Sequence, residues 1–235
     1  MTNIVFLTGA GISADSGLST FRDSDGLWNN HRVDDVATYE GFVRNRKMVY
    51  DFYNDLRRQE TSLKPKPAHY ALAKLQREYK NGKVTIITQN VDDYHTVAGA
   101  TDVIHMHGHL HQVRCENCMH VYRCDTDYDE TTVCQKCGKA GHIRPNIVWF
   151  GEMPLYMARI EEELEQADIF VAIGTSGVVY PAAGFISRVR AIGRAQTVEI
   201  NLEPSEVNRL FDRSIKGRAK DTVPAYVDEL LSAQK

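Results

Sequence analysis

The sequence predicts an α/β protein: a Rossmann-like parallel sheet with helices on both faces, plus a small domain made of a helical lobe and a zinc-ribbon insertion. Three observations lead there. Short apolar, β-branched runs alternate with segments of helical period, as strands of a doubly covered parallel sheet do. A glycine-rich turn follows the first of those runs. Four cysteines fall into two Cys-x-x-Cys pairs inside a stretch poor in aliphatic residues.

The strands expected are "NIVFLTG" (3–9), "VTIITQN" (84–90), "DVIHMHG" (102–108), "DIFVAIGTS" (168–176) and "TVEINLE" (197–203). Pro67 opens a helix with Leu72, Leu75 and Tyr79 on one face, closed by Asn81-Gly82. Met157, Ile160, Leu164 and Ala167 repeat at helical intervals, with glutamates on the other face. Residues 205–211 and 224–232 should add two more helices. Residues 22–66 hold no convincing strand but a helical, aromatic-rich stretch. The chain therefore divides as one unit: a core of about 1–21, 67–111 and 147–235, a helical lobe of about 22–66, and a zinc module of about 112–146. No repeat or flexible linker separates these parts.

Composition narrows the function. A net charge of −3 among 235 residues offers no global attraction for a nucleic-acid backbone or an anionic membrane, so no nucleic-acid partner is expected. "IFVAIG" at 169–174, the longest strongly apolar run, falls far short of the ~20 residues of a membrane span. The first residues run straight into a core strand without a basic leader or cleavage site, and five cysteines suit a reducing compartment. A cytoplasmic location follows as an expectation.

Cys115-x-x-Cys118 and Cys134-x-x-Cys137 have the spacing of a structural zinc site, in which four thiolates close a tetrahedron and leave no open position. A redox dithiol and an iron–sulfur ligand set are the alternatives. Cys124 is left over as an ordinary thiol. Gly9-Ala10-Gly11-Ile12-Ser13-Ala14 matches a dinucleotide fingerprint, whose glycines let backbone approach a pyrophosphate at a helix amino terminus. The acidic residue that a dehydrogenase places at the end of the next strand has no counterpart here. "VIHMHGHLH" (103–111) sets His105, His107, His109 and His111 in alternation, so that one extended strand would point all four rings the same way, as a metal comb would.

"GAGISADSGLSTFR", "TQNVDDYH", "HMHG", the paired Cys-x-x-Cys, "IVWFGE", "GTSGVVYPAA" and "NLEPS" resemble, in that order, the sirtuins, the NAD-dependent protein-lysine deacylases. The resemblance runs from about residue 4 to 232 and is closest to the bacterial members, a branch that includes desuccinylases. It implies NAD as a consumed co-substrate and acyl-lysine peptide segments of other proteins as partners. In such enzymes the acyl oxygen attacks the ribose carbon that loses nicotinamide, and a histidine then takes a proton from a ribose hydroxyl. His107 corresponds to that base, with an imidazole suited to accept a proton near neutral pH. His105, His109 and His111 are then packing or surface residues. Asn90 and Asp92 correspond to the nicotinamide side of the pocket. The same resemblance assigns NAD contacts to Gly9, Ala10, Gly11, Ile12, Ser13, Phe21, Arg22, Trp28, Gln89, Val91, Gly174, Thr175, Ser176, Asn201, Leu202, Glu203 and Ala219. It gives Val148, Trp149, Phe150, Gly151, Glu152, Gly177 and Val178 to the substrate peptide, which they would pair as an added strand.

One departure bears on the acyl group. Desuccinylating relatives carry Tyr-x-x-Arg in the helical lobe, whereas here Tyr53 is followed by Leu56 at the arginine position and by Arg57 one residue later. On a helix Arg57 lies four residues from Tyr53 and could share its face. The expected activity is removal of acetyl and other neutral acyl groups, with zinc as one structural ion. ADP-ribosyl transfer in the same pocket is the nearest alternative; a Rossmann oxidoreductase and a non-enzymatic NAD- or zinc-dependent interaction module are the others.

Overall fold

A computed structural model describes residues 1–17 and 27–233. In chain order the main elements are β1 (Ile4–Thr8), β2 (Leu27–Trp28), β3 (His31–Arg32), α1 (Val33–Val36), α2 (Tyr39–Arg44), α3 (Arg46–Ser62), α4 (Pro67–Glu78), β4 (Val84–Thr88) and α5 (Tyr94–Val97). Then come β5 (Val103–His105), β6 (Gly108–Cys115), β7 (Val121–Arg123), β8 (Ile143–Ile147), α6 (Met157–Gln166), β9 (Ile169–Ile173), α7 (Phe185–Ile192), β10 (Gln196–Asn201), β11 (Arg213–Lys216) and α8 (Ala219–Ala233).

Six parallel strands lie in the order β11-β10-β9-β1-β4-β5. The alternation of side chains along β1 shows why both faces must be covered. Ile4 and Phe6 pack with Leu72 of α4 and Val223 and Val227 of α8, while Val5 and Leu7 pack with Ile160 and Leu164 of α6 and Ile186 and Val189 of α7. The all-apolar strands of the sequence are thus buried on two sides. Among the described residues no helix is long and apolar enough to cross a membrane.

A separate antiparallel sheet, β7-β6-β8, carries the cysteine-bearing segment. It shares a core with the helical lobe: Phe42, Tyr50, Phe52, Tyr53 and Leu56 from the lobe meet Leu110, Val113, Ile143, Ile147 and Trp149. Tyr50 donates to the Ile143 carbonyl at 2.7 Å, and Trp149 Nε1 to the Tyr53 hydroxyl at 2.9 Å.

Four sequence expectations need correction. Residues 22–66, expected to hold no strand, contain the short antiparallel pair β2–β3. Residues 205–211 form only a single 3-10 turn at Asn208–Leu210, and β11, which was not expected, follows it. The glycine-rich turn leads into two 3-10 turns, Ala10–Ile12 and Ala14–Ser16, where an α-helix was expected. The histidine run is not one strand. β5 ends at His105, and Gly108, at φ +88°, turns the chain into β6 of the other sheet. A Cβ on Gly108 would stand 2.0 Å from the Asn146 carbonyl oxygen, so glycine is required at this corner.

Candidate active site

The carboxyl ends of the parallel strands open on a cleft of about 720 Å³, where open α/β sheets take their ligands. Gly9, Ala10 and Gly11 line it after β1, Gln89 to Asp92 after β4, Gly174 to Ser176 after β9, and Asn201 to Glu203 after β10. The two glycine turns touch backbone to backbone: a Cβ on Gly11 would lie 2.6 Å from the Gly174 Cα. Gly11 N–H donates to the Gly174 carbonyl at 2.8 Å. Gln89 Nε2 reaches Thr175 Oγ1 at 3.1 Å and Asn201 Nδ2 reaches the Thr175 carbonyl at 2.8 Å, so side chains of three strand ends hold one rim. Ile12 and Ser13 are buried behind that rim, and Ala219 opens α8 outside the cleft lining. Phe21 and Arg22 lie outside the described residues.

His107 faces the cleft from the turn between β5 and β6. Its Nδ1 lies 3.0 Å from the Gln89 carbonyl, which can only accept; Nδ1 therefore carries the proton and Nε2 keeps a lone pair. Burial pushes the ring below the usual imidazole value, with the Gln89 bond opposing, so it is neutral at cellular pH. The His107 carbonyl accepts Val148 N–H at 2.9 Å and ties the turn to the opposite wall.

Asn90 and Asp92 meet at Ser13, whose hydroxyl donates to Asp92 Oδ2 at 3.0 Å and accepts from Asn90 Nδ2 at 3.1 Å. Asp92 is 3 % exposed, and burial pushes its carboxyl up to about 7, with the Ser13 hydroxyl and Tyr94 N–H drawing it back. Behind it, His69 and His95 are buried rings driven down by desolvation, His69 to about 4.

The other histidines of the run do not face this cleft. Ligand atoms of Asp93, His105 and His109 lie within 4.8 Å of one another, a spacing that could suit an ion. The His109 tautomer argues otherwise. Its Nδ1 accepts His111 N–H at 3.1 Å, so the ring proton sits on Nε2, which faces Asp93 at 3.2 Å. A ring whose Nδ1 lone pair is taken by a backbone N–H and whose Nε2 carries the proton offers no lone pair to a metal.

The second wall carries Trp28, Tyr53, Leu56, Val148 to Glu152 and Val178; Gly177 adjoins it without lining it. Arg144, 1 % exposed and unremarked in the sequence, holds this wall. Its guanidinium makes paired bonds to Glu152 at 2.7 and 3.0 Å and stacks 3.5 Å above the Trp149 ring, while Glu152 also accepts Trp149 N–H. No periodic pattern links positions 144 and 152, which is why sequence reasoning passed over the pair. Ile147, Val179 and Tyr180, which belong to quoted motifs but were given no role, and Pro154, which belongs to none, also line the cleft.

Arg57 is a correction. Its guanidinium is turned away from the cleft and held by Asn54 Oδ1 at 2.9 Å, the Thr126 carbonyl at 2.8 Å and Asp127 at 3.1 Å, with 2 % of the side chain exposed. It is not available to an acyl tail.

The four paired cysteines converge. Cys115 and Cys137 Sγ stand 3.8 Å apart and Cys118 and Cys134 Sγ 3.7 Å, with all four sulfurs inside 4.8 Å. A tetrahedron with zinc–sulfur bonds of about 2.3 Å has edges of about 3.8 Å, so the sulfur cage fits Zn²⁺. Cys124 stands outside it.

The Sir2 family model matches residues 9–181, a span that holds the glycine turn, the histidine corner and the cysteine cage. This chain belongs to the Sir2 family. Relatives of this Sir2 chain include the NAD-dependent protein deacylase SIR2rp3 of Trypanosoma brucei brucei, 54 % identical over 232 residues, covering 97 % of this chain and 94 % of that one. The NAD-dependent protein deacylase of Vibrio cholerae is 52 % identical over 234 residues, covering 99 % and 94 %. A solved Sir2 homologue in complex with NAD superposes with a TM-score of 0.89 at 36 % identity, over 99 % of this chain and 91 % of that one.

Two outcomes are expected of this Sir2 site. Metal analysis should find one zinc per chain, and Cys134→Ser or chelation should release it and lower Tm by at least about 5 °C, because the cage and the lobe share a core. The second concerns Asp92. Between its ordinary 3.8 and its value of about 7 the folded carboxyl keeps a proton that the unfolded one loses, so stability falls as pH rises through this window. Asp92→Asn lacks that loss. Denaturant titrations should show its stability, relative to the parent, improving by about 2–4 kcal/mol from pH 4 to pH 7.

Proposed function

We propose that this protein is an NAD-dependent protein-lysine deacylase that passes acetyl and other neutral acyl groups from lysine to ADP-ribose and releases nicotinamide. The observation that carries the reading is the His107 ring, neutral, lining a dinucleotide-sized cleft and held at Nδ1 by the Gln89 carbonyl so that Nε2 keeps its lone pair. NAD supplies the glycosidic bond that breaks. His107 Nε2 takes the proton of a ribose hydroxyl, and its Nδ1 bond to Gln89 steadies the imidazolium that results. Asn90 and Asp92, joined through Ser13, orient the nicotinamide end, where Asp92 can act as donor or acceptor near neutral pH. The glycine turns and the Thr175–Asn201 rim take the phosphates and adenosine. The Trp149 wall, braced by Arg144, receives the acyl-lysine peptide.

The name of the Vibrio cholerae relative and a solved Sir2 protein carrying a myristoylated histone peptide support an acyl-lysine substrate. We place the acyl chain against Tyr53 and Leu56, both buried and both lining the cleft. With Leu56 apolar and Arg57 committed to Asn54, Thr126 and Asp127, no guanidinium from this helix meets an acidic tail there. The division into a Rossmann-like core, a lobe of about 22–66 and a zinc module of about 112–146 suits this scheme: the cleft is lined by residues of the core and the lobe, and the zinc module stands behind them, sharing a core with the lobe. A cytoplasmic setting fits a cage of four reduced thiols.

Incubation with acetyl-peptide and NAD should yield nicotinamide, free lysine and acyl-ADP-ribose by mass spectrometry. His107→Ala should lower turnover by about 10²–10⁴-fold with zinc retained. ADP-ribose left on protein with no acyl-ADP-ribose formed would favour the transferase reading instead. Across acetyl, butyryl and succinyl peptides the parent should prefer the neutral chains, and Leu56→Arg should move preference toward succinyl; succinyl preference in the parent would refute the role given to Leu56.

A further inference from the structure

The histidine run leaves one ring that the proposed reaction does not use and that the fold buries between two carboxylates. His111, on β6, is 7 % exposed. Its Nε2 lies 2.7 Å from Glu60 Oε2 and its Nδ1 2.6 Å from Asp125 Oδ1. A neutral imidazole has one N–H, and two carboxylate oxygens at these distances call for two. The ring is held as an imidazolium, and both bonds are charge-assisted.

The partners come from different parts of the molecule. Glu60 sits in the last turn of α3 and is 3 % exposed. Its other oxygen, Oε1, accepts Asp93 N–H at 2.9 Å, on the turn that carries Asn90 and Asp92. Asp125 lies just beyond β7 in the cysteine-bearing segment and accepts from Arg123 Nε at 2.8 Å. The His111 carbonyl accepts Cys124 N–H at 2.9 Å from the same segment. One cation therefore links the helical lobe to the zinc module, and through Glu60 it reaches the backbone beside Asp92.

We propose that His111 is a positioning residue: its imidazolium ties Glu60 to Asp125, and Glu60 in turn holds the 90–93 turn in the place that NAD binding requires. The inference rests on reading the cleft as an NAD site. It differs from a packing role because the bond is conditional on charge. The groups facing the ring are Glu60 from α3, Asp125 and Arg123 from the zinc module, His109 on the same strand at 5.8 Å between ring centres, and Asp93 beyond His109. The Glu60 bond raises the ring above the ordinary 6.5, against the cost of burial. A raised value means the tie is complete below the ordinary imidazole range and is lost as pH rises through the folded one. KM for NAD should then climb on the alkaline side.

The test is KM for NAD, kcat on acetyl-peptide and the calorimetric Kd for NAD, measured on the zinc-loaded full chain from about pH 6 to 9, for the parent, His111→Gln and Asp125→Asn. His111→Gln keeps one donor and loses the charge: KM and Kd for NAD should rise about tenfold near pH 6.5, kcat should stay within about twofold, and the alkaline climb should vanish. Asp125→Asn alters a half-exposed carboxylate and leaves the buried ring and Glu60 in place, so it remains decisive if His111→Gln folds poorly. It should move the climb to lower pH while zinc stays at one per chain. A lowered Tm with NAD affinity and its pH profile unchanged in Asp125→Asn would overturn the proposal and leave His111 a structural ion pair. Absence of NAD binding in the parent at every pH would instead overturn the NAD reading of the cleft, and this inference with it.

Discussion

The hydrogen bond from His107 Nδ1 to the Gln89 carbonyl is the constraint on which the chemistry of this molecule depends. An imidazole can accept a proton only at the nitrogen that lacks one, and this bond decides which nitrogen that is. It requires β4 to deliver a carbonyl at residue 89 and β5 to stop two residues short of His107. It also requires Gly108 to turn the chain at a φ closed to other residues. The parallel register of β4 with β5, Ile86 opposite Val103 and Thr88 opposite His105, brings these ends side by side. Burial then keeps the ring neutral, so the Nε2 lone pair is present before any substrate arrives.

Around that bond the fold divides its labour by polarity. The sheet core is apolar on both faces and fixes the strand ends, while the groups that would meet a ligand sit in loops beyond them. Three buried charges are tied by directed bonds: Arg144 to Glu152, Arg57 to Asn54 and Asp127, and His111 to Glu60 and Asp125. The zinc cage belongs to the same scheme. It does no chemistry on substrate, but it orders a sheet whose inner side is half of the core beneath the lobe.

Much of this was legible in the sequence. The five expected strands of the parallel sheet are present, because continuous β-branched runs admit few alternatives, and the cysteine spacing led directly to a cage of the right size. What stayed hidden were features decided by contacts distant in sequence. The alternation from His105 to His111 promised one face of one strand, but Gly108 splits it between two sheets. Arg57 shares a helix with Tyr53 and Leu56, and periodicity alone could not show that Asn54, Thr126 and Asp127 would claim it. Glu60 reads as a surface glutamate until His111 and Asp93 close over it. The 205–211 segment has helical composition but only one 3-10 turn, since it serves as the passage between β10 and β11.

The most direct test of the account is the ¹⁵N NMR spectrum of the His107 ring in the zinc-loaded protein at neutral pH, assigned by comparison with His107→Ala. The geometry predicts a proton on Nδ1 and an unprotonated Nε2. A proton found on Nε2, or a ring already doubly protonated, would mean that no lone pair faces the cleft, and the base assigned here would have to be sought elsewhere.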